Sequence, residues 1–300
     1  MKDIKTLVSN APQGPIQPVR LAPDDVVQFQ CRPGIACWNQ CCMSIDVQLT
    51  PYDILRLSRR LDIPTWEFIA EYTLPFEMDH HGMPGLKLKP QEDSTACRFM
   101  RDEGCGVYED RPAACRYYAL GSMGLRKKDS AKVEDIYFIV KEPHCLGHQE
   151  PRALTVREYR AEQGVEVYDE MNREWRDIVL KKRSSGPTIG APSQRSFDLF
   201  YMASYDLDSF RQFVASAGFK EVFDLPEEEH KALERDDTAL FRFAVRFLKQ
   251  VLFGDRTIPY KPGAREQRLA RRQERIQTRL QEEAQQRQEH DPRYDSPPEE

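Results

Sequence analysis

Eight cysteines are the residues of this sequence whose type and spacing could do chemistry. Four fall within the stretch CRPGIACWNQCC at positions 31–42, and four follow at wider intervals. The full set is Cys31, Cys37, Cys41, Cys42, Cys97, Cys105, Cys115 and Cys145. Free cysteine is often buried as a small apolar residue. However, the 155 residues after position 145 contain no cysteine, so the clustering indicates one shared role rather than eight separate core positions.

Metal binding is the role that such a set of thiols favours. Thiolates from distant segments repel one another unless a cation compensates them, and a zinc ion binds Cys sulfur at about 2.3 Å. The gap between Cys37 and Cys41 fits a short zinc spacing, whereas the longer gap between Cys97 and Cys105 does not. The closely spaced cysteine run of bacterial ferredoxins is absent too. The spacing predicts a metal and leaves iron and zinc open.

The adjacent pair Cys41 and Cys42 bears on the number of metal centres. In an extended segment, neighbouring side chains point to opposite faces, so both thiols would bind one tetrahedral centre only awkwardly. Either the two thiols serve two different centres, or one of them is a ligand and the other packs.

Cys115 has local support as a ligand. Pro112 disfavours a helical Arg111 and suits the first helical position, which places Cys115 in the first turn of a helix. The helix dipole should lower the pKa of a thiol there. Arg111 and Arg116 flank this cysteine and are candidate donors that offset the charge of the thiolates.

Histidines next to the last cysteine are candidate supporting residues. His144 and His148 bracket Cys145 and could stand in for a thiolate, but we expect them to surround the site rather than to bind metal. His80 and His81, in a loop with Gly and Pro, are weaker candidates.

Disulfides are the main alternative, since an even number of cysteines suits a disulfide framework. The first twenty residues contain no apolar segment typical of a secretory signal, and no window approaches about 18 consecutive apolar residues. We therefore expect a cytoplasmic protein without a membrane span, and a reducing cytosol disfavours disulfides.

The sequence gives no case for an enzyme. The motif His-Glu-x-x-His, a Gly-rich phosphate loop and a nucleophile elbow are all absent, and catalysis by a cysteine nucleophile is the alternative that they leave open.

Short strands and helices must position the cysteines. The stretches VVQFQ, MSIDVQLT, GMPGLKLKP and KVEDIYFIVKEPH are strand-like. A helix should begin at LTPYDILRL, with Thr50 as N-cap, Pro51 in the first position and Asp53 completing a capping box. A second short helix follows from about residue 64, and TVREYRAEQG opens with another capping box.

The second half of the sequence is helical by its apolar periodicity. One stripe for the core contains Tyr168, Met171, Trp175, Ile178 and Val179. Further helices are predicted over 207–217, ended by Gly218, and over TALFRFAVRFLKQVLFG, ended by Gly254. The fold class is therefore α+β and mainly helical, with a small irregular Cys-rich domain followed by a helical C-terminal region.

Composition divides the chain into five parts. We predict an extended arm (1–25), a metal-binding domain (26–182), a linker (183–196), a helical region (197–256) and a charged tail, disordered or a solvated helix (257–300). The tail has seven basic and two acidic residues at 261–280, then two basic and seven acidic at 281–300. No aromatic residues interleave its arginines and the formal net charge is −5, so we expect no nucleic-acid partner. A protein partner could bind the C-terminal helices.

Four stretches together resemble the YkgJ-like cysteine-cluster proteins, described as a zinc- or iron-chelating family: FQCRPGIACWNQCC, LTPYDILRL, CGVYEDRPAACRYY and HCLGH. Every cysteine except Cys97 matches the family pattern. The other matching residues are Leu49, Thr50, Asp53, Tyr108, Arg111, Pro112 and Arg116. The likeness covers about residues 26–182. Two features depart from the family pattern, namely Tyr118 in place of a common Pro and the wide gap between Cys31 and Cys37.

The resemblance implies metal binding, in some members as an iron–sulfur cluster, and it supplies no substrate or reaction. Our leading expectation is a protein that binds iron, as an iron–sulfur cluster, for electron transfer, redox sensing or accessory chemistry. The alternative is a structural-zinc module that binds a partner without catalysis.

Overall fold

Helices and short antiparallel strands form the cysteine-bearing half of the chain, and the described residues of the second half are mainly helical. The computed structural model describes residues 19–79, 82–126, 133–184 and 193–289. The strands are β1 (Val26–Gln28), β2 (Gln48–Leu49), β3 (Thr73–Glu77), β4 (Pro84–Leu88), β5 (Met100–Arg101), β6 (Gly104–Cys105), β7 (Leu120–Arg126), β8 (Val133–Ile139) and β9 (Ala153–Thr155). The helices are α1 (Pro51–Arg60), α2 (Thr65–Tyr72), α3 (Ala113–Tyr117), α4 (Val156–Gln163), α5 (Val165–Ser184), α6 (Gln194–Tyr205), α7 (Leu207–Ala215), α8 (Ala217–Val222), α9 (Glu227–Arg235), α10 (Asp237–Phe253) and α11 (Ala264–Glu289). The mainly helical α+β class is confirmed.

Two capping boxes set the starts of α1 and α4, as the sequence predicts. At α1 the Thr50 side chain accepts from the backbone N–H of Asp53, whose carboxylate accepts from the backbone N–H of Thr50. At α4 Thr155 and Glu158 make the same reciprocal pair. Each box satisfies N–H groups that a helix start leaves without partners.

The strands form small antiparallel sheets rather than one large one. In the described residues β1 pairs with β9, β2 and β3 both pair with β4, β5 pairs with β6, and β7 pairs with β8. The predicted strand MSIDVQLT is shorter than expected, because only Gln48–Leu49 pairs in a sheet. Just before it, Ile45 donates its N–H to the carbonyl oxygen of Thr95 at 3.0 Å. The β1–β9 pair places the segment before Cys31 beside the segment after Cys145.

One hydrophobic core joins the cysteine-bearing half to the C-terminal helices. The predicted stripe on α5 is buried throughout. Most of it belongs to a cluster that also contains Ile54 and Phe68 from the first half and Phe200 and Phe210 from the second. The linker at 183–196 that would separate a metal-binding domain from a helical region stays a prediction. The cysteine-bearing half and the C-terminal helices nevertheless pack against each other.

The helix predicted over 207–217 is two helices. It breaks at Ser216, which ends α7 in an extended conformation and accepts from the N–H of Phe219 to cap α8. Gly218 therefore lies inside α8 and does not end a helix. Gly254 does end α10 in the left-handed conformation, as predicted, with a φ of 73°.

Several predicted features lie partly or wholly outside the described residues. These are most of the arm, His80 and His81, most of the linker and the last residues of the tail. Residues 264–289 of the tail are helical. No described helix combines the length and the apolarity that a bilayer span requires.

Candidate metal centre

All eight cysteines are free thiols that lie in loops or short elements. Cys31 and Cys37 precede a 3-10 turn (Gln40–Cys42) that holds the adjacent pair. Cys97 precedes β5, whereas Cys105, Cys115 and Cys145 lie in β6, in α3 and before β9. The Cys97 and Cys145 side chains are buried, and the other six reach solvent to some extent.

The sulfur atoms of Cys41 and Cys42 lie 3.9 Å apart. The two residues belong to a 3-10 turn and not to an extended segment, so their side chains do not point to opposite faces. Two ligands of one tetrahedral zinc would lie at about this separation, given Zn–S bonds of about 2.3 Å. The hydrogen bond between the two thiols lowers the pKa of Cys41 to about 7 and raises that of Cys42. Cys41 is therefore the first of the pair to ionise.

Cys31, Cys37 and Cys145 come together because the chain near residue 146 crosses the chain near residue 30. The N–H of Leu146 donates to the sulfur of Cys37 at 3.3 Å. The N–H of Gln30 donates to the carbonyl oxygen of Gly147 at 3.0 Å. Burial and the charges of three other cysteines, Cys41 foremost, raise the pKa of Cys31 to about 11.

Cys42, Cys97, Cys105 and Cys115 form a second neighbourhood. The N–H of Cys97 donates to the carbonyl oxygen of Cys42 at 2.7 Å. The β5–β6 pair places Met100 opposite Cys105 and thereby brings Cys105 back towards Cys97. Desolvation and the charges of Cys97 and Cys105 raise the pKa of Cys115, although part of its side chain remains accessible to solvent.

The predicted lowering of the Cys115 pKa by a helix dipole is wrong. Pro112 is the N-cap of α3 rather than its first residue, and Arg111 is not helical. This helix has only five residues, and desolvation together with the charges of nearby thiols raises the pKa of Cys115 despite its dipole. A cation would reverse the balance, because it stabilises the thiolates that now oppose one another.

Three of the thiols share a backbone arrangement. Burial raises the pKa of Cys97, Cys105 and Cys145, and in each case a backbone N–H two residues further along lowers it. These donors belong to Phe99, Val107 and Gly147. Hydrogen bonds to cysteine sulfur stabilise thiolate ligands and tune the reduction potential of iron–sulfur clusters.

Arg116 holds the Cys115 helix in place. Its guanidinium donates to the backbone carbonyl oxygens of Arg111 at 3.0 Å, Gln163 at 2.8 Å and Glu109. It also lies 4.4 Å from the centre of the Tyr168 ring. Arg116 is buried, and its donors serve carbonyl oxygens of the segments around α3 and α4. This role rests on contacts distant in sequence, and the flanking position alone did not reveal it.

Arg111 acts on one thiol of each neighbourhood of cysteines. It is buried and donates to Gln163 Oε1 and to the carbonyl oxygen of Tyr108, both at 2.7 Å. Its positive charge helps to lower the pKa of both Cys31 and Cys105. These two cysteines belong to different neighbourhoods, so one guanidinium acts on both.

The two histidines lie near Cys145 with partners of their own. His148 Nε2 is 3.0 Å from the carbonyl oxygen of Val140. His144 Nε2 is 3.4 Å from the carboxylate of Glu142, which accepts from the Tyr118 hydroxyl at 2.7 Å. The Tyr118 hydroxyl also helps to lower the pKa of Cys145. Tyr118 and Glu142 are thus neighbours of the site that sequence reasoning missed.

Asp53 is a further residue whose contribution the sequence showed only in part. Its side chain is fully buried, and its Oδ1 accepts from the N–H of Ala113 in α3 at 2.8 Å. The same carboxylate closes the capping box at Thr50. Burial raises the pKa of Asp53 to about 6 against the opposing hydrogen bonds from Thr50 and Ala113.

Residues 30–146 match the family model CxxCxxCC, described as "Putative zinc- or iron-chelating domain". Over this segment the chain is similar to that cysteine-cluster family. The match contains all eight cysteines and confirms the resemblance predicted from the sequence. No curated protein and no solved structure matches the chain.

The donor set of the cysteine-cluster domain fits a metal. Sets of four thiolates are typical of zinc and of iron–sulfur clusters, and eight thiols exceed what one zinc ion takes. Across the described residues, no three Cys, His, Asp or Glu side chains already converge as a site for a single ion. The family description names both zinc and iron, so it leaves the choice of metal open.

Proposed function

We propose that the cysteine-cluster domain binds iron as an iron–sulfur cluster. The cluster would serve electron transfer, redox sensing or accessory chemistry in the cytoplasm. One observation carries this proposal: burial first, and then the charges of thiols from separate segments, raise the pKa of Cys115 and of Cys31. Such a group of thiols is stable as thiolates only with a cation among them, and metal binding draws them together.

Three features favour iron over zinc. The cysteines are more numerous than one structural zinc requires, and their long spacings resemble neither a zinc knuckle nor a zinc ribbon. Backbone N–H groups lower the pKa of Cys97, Cys105 and Cys145, as is common around cluster ligands. When bound, an iron–sulfur cluster would supply one-electron redox chemistry. The chain's own residues would hold its thiolate ligands, and Arg111 would offset their charge.

Purification of the full chain without air tests the proposal directly. We expect iron and sulfide in elemental analysis and a visible absorption band that bleaches when dithionite is added. Stoichiometric zinc without colour would instead support the structural-zinc alternative. Protein that holds neither metal, even after reconstitution, would overturn both.

A ligand variant separates a specific site from adventitious metal. Cys115→Ser should lose metal and lower the melting temperature, because metal binding contributes folding free energy. Ser58→Ala offers a control, since Ser58 is buried on α1 and donates only to the carbonyl oxygen of Leu55. Unchanged metal content in Cys115→Ser would contradict the ligand assignment.

A further inference from the structure

We propose that a cavity among the C-terminal helices binds a small uncharged molecule with an apolar body and one acceptor oxygen, as in a ketone or an ester. The cavity has a volume of about 360 Å³ and is lined by residues of α6, α7, α8, α10 and the first turn of α11. No cysteine lines it, so the inference goes beyond the proposed function and does not depend on the metal.

Aromatic side chains line the cavity and contact one another. The ring centres of Phe219 and Phe223 lie 4.4 Å apart, and those of Phe213 and Phe247 lie 5.6 Å apart. The ring of Tyr260 stacks on that of Phe223 at 5.3 Å. Ligand cavities of this size bury most of the ligand against hydrophobic and aromatic side chains, so this lining suits a molecule with an apolar body.

Backbone hydrogen bonds hold the segments around the cavity. The extended backbone at Ser216 separates α7 from α8, and Ser216 is part of the lining. Beyond α10, the N–H of Lys261 donates to the carbonyl oxygen of Val222 at 3.0 Å, and the N–H of Asp224 donates to that of Pro259 at 2.9 Å. These two bonds join the end of α8 to the segment before α11. The cavity is therefore bounded by segments that are fixed to one another.

Gln250 supplies a buried hydrogen-bond donor to this cavity. The residue lines the cavity and is only 8% exposed. Its Oε1 accepts from the N–H of Ile258 at 2.8 Å and from the hydroxyl of Thr257 at 3.3 Å, which fixes the orientation of the amide. Its Nε2 is shielded from solvent and has no hydrogen-bond partner within the part of the chain that the structure describes. Native proteins satisfy nearly all buried donors, and an acceptor oxygen of a bound molecule would satisfy this one.

The charges around the cavity favour an uncharged ligand. Arg195 and Glu221 are the charged residues among those that line it, and both are exposed. One cation and one anion leave no net charge in the lining. A charged ligand beside the aromatic rings would lose its hydration without a net opposite charge to compensate it. A ketone or ester oxygen accepts from an amide N–H without that cost.

Acetophenone and isopropylbenzene are suitable probes, because they have nearly the same size and shape and only acetophenone has a carbonyl oxygen. In amide NMR spectra of the full-length protein with its metal bound, acetophenone should shift the side-chain resonances of Gln250. Their loss in Gln250→Met assigns these resonances. The same substitution should weaken acetophenone binding about tenfold and leave isopropylbenzene binding unchanged, because only acetophenone uses the amide donor.

Two further variants keep this comparison specific. Gln212→Met is the matched control, since Gln212 is exposed on α7 and does not line the cavity. If circular dichroism shows that Gln250→Met does not fold, Gln250→Glu at alkaline pH replaces it. Its carboxylate still accepts from Ile258 and Thr257 but has no donor when it is ionised.

Three results would overturn the proposal. If neither probe bound to saturation, the cavity would hold only water. Equal loss of both probes in a folded Gln250 variant would show that the amide donor does not select an acceptor oxygen. Tighter binding of benzoate than of acetophenone would show that the site takes a charged ligand.

Discussion

The buried carboxylate of Asp53 accepts a hydrogen bond from the backbone N–H of Ala113 at 2.8 Å. Its other oxygen accepts from the backbone N–H and from the hydroxyl of Thr50, both at 2.7 Å. One side chain therefore caps α1 and also fixes the start of the helix that carries Cys115. Asp53 thus positions a proposed ligand without being one.

Asp53→Asn should weaken this link. An amide carries one N–H₂ group, so in either orientation a donor faces Thr50 or Ala113 where an acceptor is needed. We expect a loss of about 1–3 kcal/mol in the free energy of unfolding, measured in urea, and lower retention of metal under a chelator. Asp46→Asn is the matched control, because its side chain is 75% exposed and pairs only with Lys87 at 3.3 Å. Equal effects of the two substitutions would contradict the positioning role.

Gly147→Ala should disturb the packing between the segments of Cys31 and Cys145. An added Cβ would lie 2.6 Å from the Phe29 ring and 2.9 Å from the carbonyl oxygen of Gln30, so the strand before Cys31 would have to move. We expect a destabilisation of about 1–3 kcal/mol and a lower metal content than in the wild type, measured by elemental analysis. Gly218→Ala is the control, since its Cβ would meet nothing within 4 Å. Full metal content in Gly147→Ala would argue against close packing of the two segments at the site.

Local signals in the sequence predicted the elements around the site well. The capping boxes at Thr50 and Thr155 depend on residues three positions apart, and the stripe on α5 depends on helical periodicity. Such patterns are visible because both partners lie in one short stretch. The break at Ser216 was missed because an N-cap inside a periodic apolar run looks like any other polar position.

The grouping of the thiols could not be predicted in the same way. The contact of Cys97 with Cys42 and that of Cys37 with Leu146 join residues far apart in sequence, and no local pattern encodes them. For the same reason the pKa of Cys115 was predicted in the wrong direction. The dipole of the short helix follows from the local sequence, whereas the burial of the thiol and the charges of Cys97 and Cys105 depend on the tertiary fold.

Removal of most of α11 should leave the metal centre intact. The described side chains of this helix are mostly exposed, whereas Ala264 in its first turn is buried. A chain that ends at Gln267 keeps Ala264 and also the hydrogen bond from Lys261 N–H to the carbonyl oxygen of Val222. We expect wild-type metal content and melting temperature for that chain. A chain that ends at Tyr260 should keep its metal and lose about 1 kcal/mol of stability. Loss of metal from the longer truncation would show that the tail contributes to the site.

Arg59 joins the cysteine-bearing half to the C-terminal helices and makes their packing sensitive to acid. It donates to Asp208 at 2.8 and 3.0 Å, and the backbone N–H of Thr65 donates to the same carboxylate at 2.8 Å. Burial works to raise the pKa of Asp208, but the hydrogen bonds from Arg59 and Thr65 outweigh it and lower the pKa. The folded chain thus holds the ionised form more strongly than the unfolded chain does.

The resulting stability is present above the unfolded pKa of about 3.9 and is lost as the pH falls through the lower folded value. Asp208→Asn should therefore be less stable than the wild type at pH 7, and this difference should shrink as the pH falls below about 4. Urea unfolding from pH 7 to pH 3 measures it, and loss of metal in acid affects both proteins alike. Asp198→Asn controls for the loss of one charge, because Asp198 is exposed and accepts from Gln194 within its own helix. A difference between wild type and Asp208→Asn that stayed constant with pH would show that the carboxylate acts through its shape and not through its charge.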